Sequence, residues 1–167
     1  MSGGDATPQP TELGTTEMRR VLGAFASGVT VVTGDAAGRP VGFACQSFSS
    51  LSLDPPLVLF CPARSSSTWP LIRESGSFTV NVLADDQEPL CRVFASPGDR
   101  FTGVGWAASP TGPVLPDVLA SVHCDVEAVH DGGDHELVVG RVRDLVLRRE
   151  AGPLVFFRGG FGVDLPS

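Results

Sequence analysis

Apolar positions change their spacing near residue 29. Before it, over 16–26, Val21, Leu22 and Phe25 cluster on one side of a helix, and Gly28 stands where a C-terminal cap belongs. Val29-Thr30-Val31-Val32-Thr33 is β-branched throughout and predicts a strand. Gly34-Asp35-Ala36-Ala37-Gly38 reads as a turn, 39–48 as a second strand and 57–61 as a third. The stretch 65–69 predicts a loop leading into a short helix through Glu74, with Ser67 or Thr68 as N-cap and Pro70 in its first turn. Another strand fits 78–83, and Asp85 or Asp86 is expected to cap a helix running to about Phe94.

The second half alternates. Ala120, Val122, Cys124, Val126 and Ala128 take turns with Ser121, His123, Asp125 and Glu127, the period of a half-buried strand. Asp131-Gly132-Gly133-Asp134 predicts a hairpin turn, 135–147 the returning strand and 154–158 a last strand. Short strands punctuated by Gly and Pro, with two or three helices and neither repeat nor βαβα alternation, predict an antiparallel barrel or sandwich.

Composition narrows the setting. At 167 residues the chain holds one ordinary domain, and 42% hydrophobic with 19% charged residues predicts a globular one. The strongest apolar run, Pro56-Leu57-Val58-Leu59-Phe60-Cys61, is strand-sized, whereas a membrane-spanning helix needs roughly 20 such residues. Residues 1–14 are small, polar and proline-bearing, and are expected to be a disordered tail ahead of a domain over 15–167. They lack the basic start and apolar stretch of a secretion signal, so a cytoplasmic location is expected. A net charge of −7 argues against nucleic acid or an anionic membrane as partner. All 12 cations are Arg, which a GC-rich coding sequence explains; in that background the single asparagine, Asn81, is expected to fix backbone between strand and helix. Cys45, Cys61, Cys91 and Cys124 form no C-x-x-C pair and read as buried, reduced thiols.

Several motifs fail in context. Gly103-Val104-Gly105-Trp106-Ala107-Ala108 fits G-x-G-x-x-A, but no strand precedes it and Ser109-Pro110 ends any helix at once. His123, Cys124, Asp125, His130, Asp131, Asp134 and His135 crowd together, yet His123 and Cys124 point to opposite faces of a strand and the others flank a hairpin tip, so no metal is expected. Three segments carry chemistry. Arg64-Ser65-Ser66-Ser67-Thr68-Trp69-Pro70 offers hydroxyls, a guanidinium and a helix start, the parts of a phosphate site, or equally of a plain capped loop. Gly42-Phe43-Ala44-Cys45-Gln46-Ser47-Phe48 gives small and amide side chains at a strand end, fit for a flat ring or for nothing in particular. Arg158-Gly159-Gly160-Phe161-Gly162 joins a cation, a flexible backbone and an aromatic face, as a nucleotide site or an ordinary turn does.

Taken in order, these stretches resemble a known family. The resemblance is carried by Phe25-Ala26-Ser27-Gly28 with the β-branched run, 41–48, Ser50-Leu51-Ser52-Leu53-Asp54-Pro55-Pro56-Leu57-Val58-Leu59 and Ser75-Gly76-Ser77-Phe78-Thr79-Val80-Asn81-Val82-Leu83. It continues through Asp99-Arg100-Phe101, Gly133-Asp134-His135 and 153–160. Together they resemble the short-chain flavin reductases with the FMN-binding split-barrel fold, closest to the reductase components of two-component flavin-dependent monooxygenases. The resemblance implies a mainly β, antiparallel Greek-key split β-barrel with short flanking helices. It implies that Pro40, Val41, Gly42, Phe43, Ala44, Gln46 and Ser47, with Cys45 among them, line the isoalloxazine of FAD or FMN. Cys61, Pro62, Ala63, Ser67 and Thr68 then hold the ribityl and phosphate end, with Arg100 close by. His135, Arg158, Gly159, Gly160 and Phe161 face NADH or NADPH. Related chains often carry Tyr where Phe161 stands, so stacking survives without a hydroxyl.

The implied activity is hydride transfer from nicotinamide to free flavin, with reduced flavin leaving for a separate monooxygenase and the reductase working as a homodimer. No catalytic acid, base or metal is implied, because the chemistry belongs to the two nucleotides. A non-catalytic flavin carrier, or an enzyme of this fold reducing another acceptor, is the rival expectation.

Overall fold

The computed structural model describes residues 13–162; most of the expected tail, 1–12, and the last residues, 163–167, lie outside them. The elements in order are α1 (Thr15–Leu22), β1 (Ser27–Gly28), β2 (Thr30–Ala36), β3 (Arg39–Cys45), β4 (Ser49–Leu53), β5 (Pro56–Phe60), α2 (Trp69–Ser75), β6 (Ser77–Val82), α3 (Glu88–Ala95), β7 (Ala120–Gly132), β8 (His135–Leu147), β9 (Val155–Phe157) and β10 (Gly160–Phe161). A seven-stranded antiparallel sheet runs β3-β2-β6-β7-β8-β5-β4, and a small sheet runs β1-β9-β10.

The hairpins β2–β3, β4–β5 and β7–β8 pair locally, and β6 joins the first to the third. β3 and β4 stand at opposite ends of this order, yet only Gln46, Ser47 and Phe48 separate them. So short a link spans at most about 14 Å. The sheet therefore curls until its two edges approach, with no ladder between them among the described residues. That is an open, split barrel, as the resemblance implied.

β2 is buried along both faces, which suits its β-branched sequence. Val32 packs inside the barrel with Phe60, Phe78, Trp69, Ile72 and Val138. Val29 and Val31 face a second core with Leu83, Phe94, Leu115 and Leu154, beneath α3 and the small sheet. Phe60 centres the first core, meeting Phe78 edge-on at 5.0 Å and Trp69 at 5.5 Å between centroids.

Some element boundaries differ from the sequence reading. α1 stops at Leu22 because Gly23 caps it, and none of its residues is buried. Gly28 is not a cap; it pairs with Val155. The pattern predicts no strand at β4, since Ser49, Ser50 and Ser52 mask its alternation, and of the residues read as a turn 34–36 belong to β2, leaving Ala37 and Gly38 to make the turn. α3 starts at Glu88, later than Asp85 or Asp86 allows. Gln87 explains this: its Oε1 accepts the Ala84 N–H at 3.0 Å and its Nε2 donates to the Pro116 carbonyl at 2.8 Å, so the chain turns once more before the helix.

Asn81 does fix backbone, but of the long connection 96–119 rather than of the strand-to-helix junction. Its Oδ1 accepts the Leu115 N–H at 2.9 Å and its Nδ2 donates to the Val31 carbonyl at 3.2 Å. His123 is the second anchor. The alternation placed it toward solvent; the connection covers it instead, leaving it 7% exposed.

Candidate active site

Where β3 turns into β4, the Ser47 hydroxyl accepts the Cys61 N–H at 2.8 Å and lies 3.3 Å from the Cys61 carbonyl. This ties the end of β3 to the residue after β5. A cleft of about 520 Å³ opens between Phe43, Ala44, Cys45, Gln46 and Ser47 on one side and Cys61, Pro62, Ala63 and Ser66 on the other. Cys91 and Ala95 of α3, Phe156 of β9 and Phe161 of β10 complete an apolar wall. Phe161 is held edge-on to Phe156 at 5.2 Å, with the Arg92 guanidinium 5.2 Å from its centre.

His135 also lines this cleft, from the start of β8. The strand is stitched to the opposite wall: His135 bridges to Ala63, the Glu136 N–H donates to the Pro62 carbonyl at 3.0 Å and the Arg64 N–H to the Asp134 carbonyl at 2.9 Å. His135 Nδ1 lies 2.7 Å from the Asp134 carboxylate. An ionised carboxylate only accepts, so Nδ1 carries the proton and Nε2 stays available to a ligand. The same contact holds the Asp134 carboxyl below its ordinary range.

A second cleft of about 410 Å³ continues along the same segments, lined by Pro40, Val41, Gly42, Ser67, Thr68 and Arg100, with Arg39 and Asp99. Arg100 donates from Nε to the Ser96 carbonyl at 2.6 Å, and from Nη1 to the Gly42 carbonyl at 2.7 Å and Thr68 Oγ1 at 3.1 Å. Its Nη2 has no partner among the described residues, and since no buried side-chain polar atom there is unsatisfied, those two donors reach solvent. Partial burial lowers the Arg100 pKa, yet a guanidinium stays charged. Thr68 is the N-cap of α2, as expected, but its hydroxyl makes no cap bond; the Ser66 hydroxyl instead accepts the N–H groups of Thr68 at 3.3 Å and Trp69 at 3.1 Å. That arrangement leaves the Ser67 and Thr68 hydroxyls for the second cleft.

Two clefts along one pair of chain segments, an apolar slot followed by a cationic recess, match a flat ring with a phosphate-bearing tail. The match to known proteins agrees: residues 22–163 fit the model of the flavin reductase like domain. The chain belongs to this family. It is 52% identical over 145 residues to the flavin-dependent monooxygenase reductase subunit HsaB of Rhodococcus jostii strain RHA1, covering 86% of this chain and 74% of that one. Nitrilotriacetate monooxygenase component B from Mycobacterium thermoresistibile superposes with a TM-score of 0.85 at 47% identity, over 88% of this chain and 84% of that one. The Streptomyces globisporus C-1027 NADH:FAD oxidoreductase SgcE6, in complex with NAD and FAD fragments, gives 0.84 at 32% identity, over 90% and 93%.

Set against the site that membership in the flavin reductases implied, the structure brings Phe43, Ala44, Cys45, Gln46, Ser47, Cys61, Pro62, Ala63, His135 and Phe161 around the first cleft. It brings Pro40, Val41, Gly42, Ser67, Thr68 and Arg100 around the second. Arg158, Gly159 and Gly160 line neither. Arg158 turns away at a positive φ of 48°, its N–H bonded to the Gly23 carbonyl at 2.9 Å and its guanidinium 4.9 Å from the centre of Phe157. Sequence reasoning missed Arg39, Cys91, Ala95 and Phe156, and named Ser66 only within the hydroxyl-rich segment. Ser66, four residues before Pro70, carried a local signal; the others reach the clefts by packing.

His123 belongs to a separate polar cluster. Its Nδ1 meets Thr111 Oγ1 at 2.8 Å, and its Nε2 lies 3.2 Å from Ser121 Oγ, which accepts from Arg148 Nε at 2.7 Å.

Proposed function

We propose that this protein passes hydride from NADH or NADPH to free FAD or FMN and supplies the reduced flavin to a separate flavin-dependent monooxygenase. The observation that carries the reading is the succession of the two clefts along two stretches of chain. Residues 43–47, 61–63 and 66 line the first and 40–42, 67 and 68 the second, so one elongated ligand would meet apolar walls at one end and Arg100 Nη2 with the Ser67 and Thr68 hydroxyls at the other. The donor set fits a flavin: a slot for the ring, hydroxyl and backbone groups along its edge, and a charge-assisted site for phosphate. When both nucleotides are bound they supply the redox chemistry, hydride moving from nicotinamide C4 to flavin N5.

The chain's own residues position and exclude. Ser47 and the Cys61 segment fix the width of the slot, and Phe156 and Phe161 keep water from its apolar side. His135 presents Nε2 to the nicotinamide nucleotide. Stacking at roughly 3–3.5 Å is what such walls have to enforce, and no side chain is required to move a proton in the hydride step.

A homodimer in the cytoplasm is part of this reading. Phe25 is 84% and Leu53 91% exposed among the described residues, apolar surface that a second copy would cover. No described helix is long and apolar enough to cross a membrane.

The test is the loss of nicotinamide absorbance with purified protein, NADH or NADPH, and added FMN or FAD. Oxidation dependent on added flavin supports the reductase and fixes both cofactor choices. Flavin binding without oxidation in any of the four mixtures would replace it with a flavin carrier.

A further inference from the structure

We propose that Cys45 and Cys61 are a peroxide-sensitive thiol pair that closes to a disulfide in the wall of the first cleft. Both are free thiols in the structure, and both line that cleft. One hydroxyl joins them: Ser47 Oγ lies 3.2 Å from Cys45 Sγ and accepts the Cys61 N–H at 2.8 Å. The Cys61 N–H and thiol also lie close enough to Cys45 to bear on its ionisation. Cys91 borders the same cleft, but it is 2% exposed and packed in the second core with Phe94 and Leu83. Cys124 is fully buried in the first core.

The oxidant comes from the chemistry of the site. Reduced flavin that meets dioxygen instead of an oxygenase gives up two electrons and two protons, and hydrogen peroxide results. The Cys61 thiolate attacks one peroxide oxygen. An S–O bond forms, the O–O bond breaks, and hydroxide leaves as water after taking a proton. Sulfur is oxidised by two electrons to a sulfenic acid. The Cys45 thiolate then attacks that sulfur, the S–S bond forms, the S–O bond breaks and a second water leaves. Two thiols and one peroxide thus give one disulfide and two waters.

The order follows from exposure. Cys61 is half-buried and reachable and reacts first, whereas Cys45 is buried out of peroxide's reach; burial pushes its thiol pKa up, so its attack on the sulfenic acid is the slower step. The bridge would displace Ser47 from between the two residues and narrow the slot. A reductase without its oxygenase would thereby stop producing peroxide. This consequence rests on the first cleft being the flavin site.

The experiment treats the full chain, free of flavin, with hydrogen peroxide, alkylates the remaining thiols and maps peptides without reduction. The expected product links Cys45 to Cys61 with loss of two hydrogen atoms, while Cys91 and Cys124 are alkylated. FMN and FAD titrations are expected to weaken about tenfold or more as the preorganised slot is lost, and dithiothreitol to restore them. Cys45→Ser and Cys61→Ser, each compared with its own untreated sample, are expected to show no dithiothreitol-reversible loss. Full alkylation of both thiols after peroxide, a bridge to Cys91, or sulfinic acid on Cys61 without a bridge would overturn the pair. A Cys45–Cys61 bridge that leaves flavin titrations unchanged upholds the pair and overturns the assignment of the cleft.

Discussion

Ser47 Oγ and the Cys61 backbone N–H meet at 2.8 Å, and through that contact the strand before one edge turn holds the strand after the next. Ser47→Ala removes the acceptor of that N–H at the mouth of the cleft, at a cost of about 0.5–1.5 kcal/mol. The flavin Michaelis constant is expected to rise roughly tenfold, with a smaller change for NADH, in steady-state assays varying each substrate. Equal effects on both would show that the contact shapes the whole cleft rather than its flavin wall.

Arg100 separates phosphate recognition from ring recognition. Arg100→Gln is expected to weaken FMN and FAD about tenfold or more through loss of a charge-assisted contact, and to leave riboflavin, which has no phosphate, nearly unaffected. Comparative titration of FMN and riboflavin checks it; equal losses for the two would remove phosphate from the second cleft.

His135→Ala is expected to raise the Michaelis constant for NADH severalfold, since one hydrogen bond contributes about 1 kcal/mol, while flavin titration stays within about twofold. An effect confined to flavin would reassign the residue.

His123 makes the fold acid-sensitive. Burial, the largest influence, lowers its pKa below the usual 6.5; Asp144 raises it and Arg148 lowers it further. The unfolded chain therefore takes up a proton at a higher pH than the folded one, and stability is lost as pH falls through 6.5 and below. The physical cause is local. Ser121, beside Nε2, already accepts from Arg148, so a protonated imidazole there is buried close to a guanidinium charge. Melting temperature measured from about pH 8 to about pH 5 is expected to fall, and His123→Gln to flatten that slope while lowering stability at neutral pH.

Gly112 leaves no room for a side chain. Its φ is 138°, and a Cβ there would stand 2.8 Å from both the Gly34 Cα and the Thr33 carbonyl oxygen. Gly112→Ala is expected to cost about 2–4 kcal/mol through backbone strain and overpacking, read as a lower midpoint in urea. An unchanged midpoint would mean that the 96–119 connection is not held against β2.

The sequence by itself determined the local elements of this protein. The β-branched run at 29–33, the alternation from Ala120, the Asp131–Asp134 turn and the loop before Pro70 each carry their signal in neighbouring residues, because strand period and turn chemistry are short-range properties. The joint order of these pieces was enough to indicate the family and most of the residues that line the two clefts, since 40–47 and 61–68 are contiguous segments.

Tertiary structure decided what depended on distant partners. The alternation sets His123 toward solvent, but the 96–119 connection covers it; Arg158, expected at the nicotinamide nucleotide, lines neither cleft; and Phe156 enters the first cleft only through the pairing of β9 with β1. That Ser47 meets Cys61 follows from the curl of a seven-stranded sheet whose edges are joined by three residues. A strand's alternation says which side chains share a face; which face another part of the chain comes to cover is fixed by packing across long sequence separations, and that leaves no periodic trace.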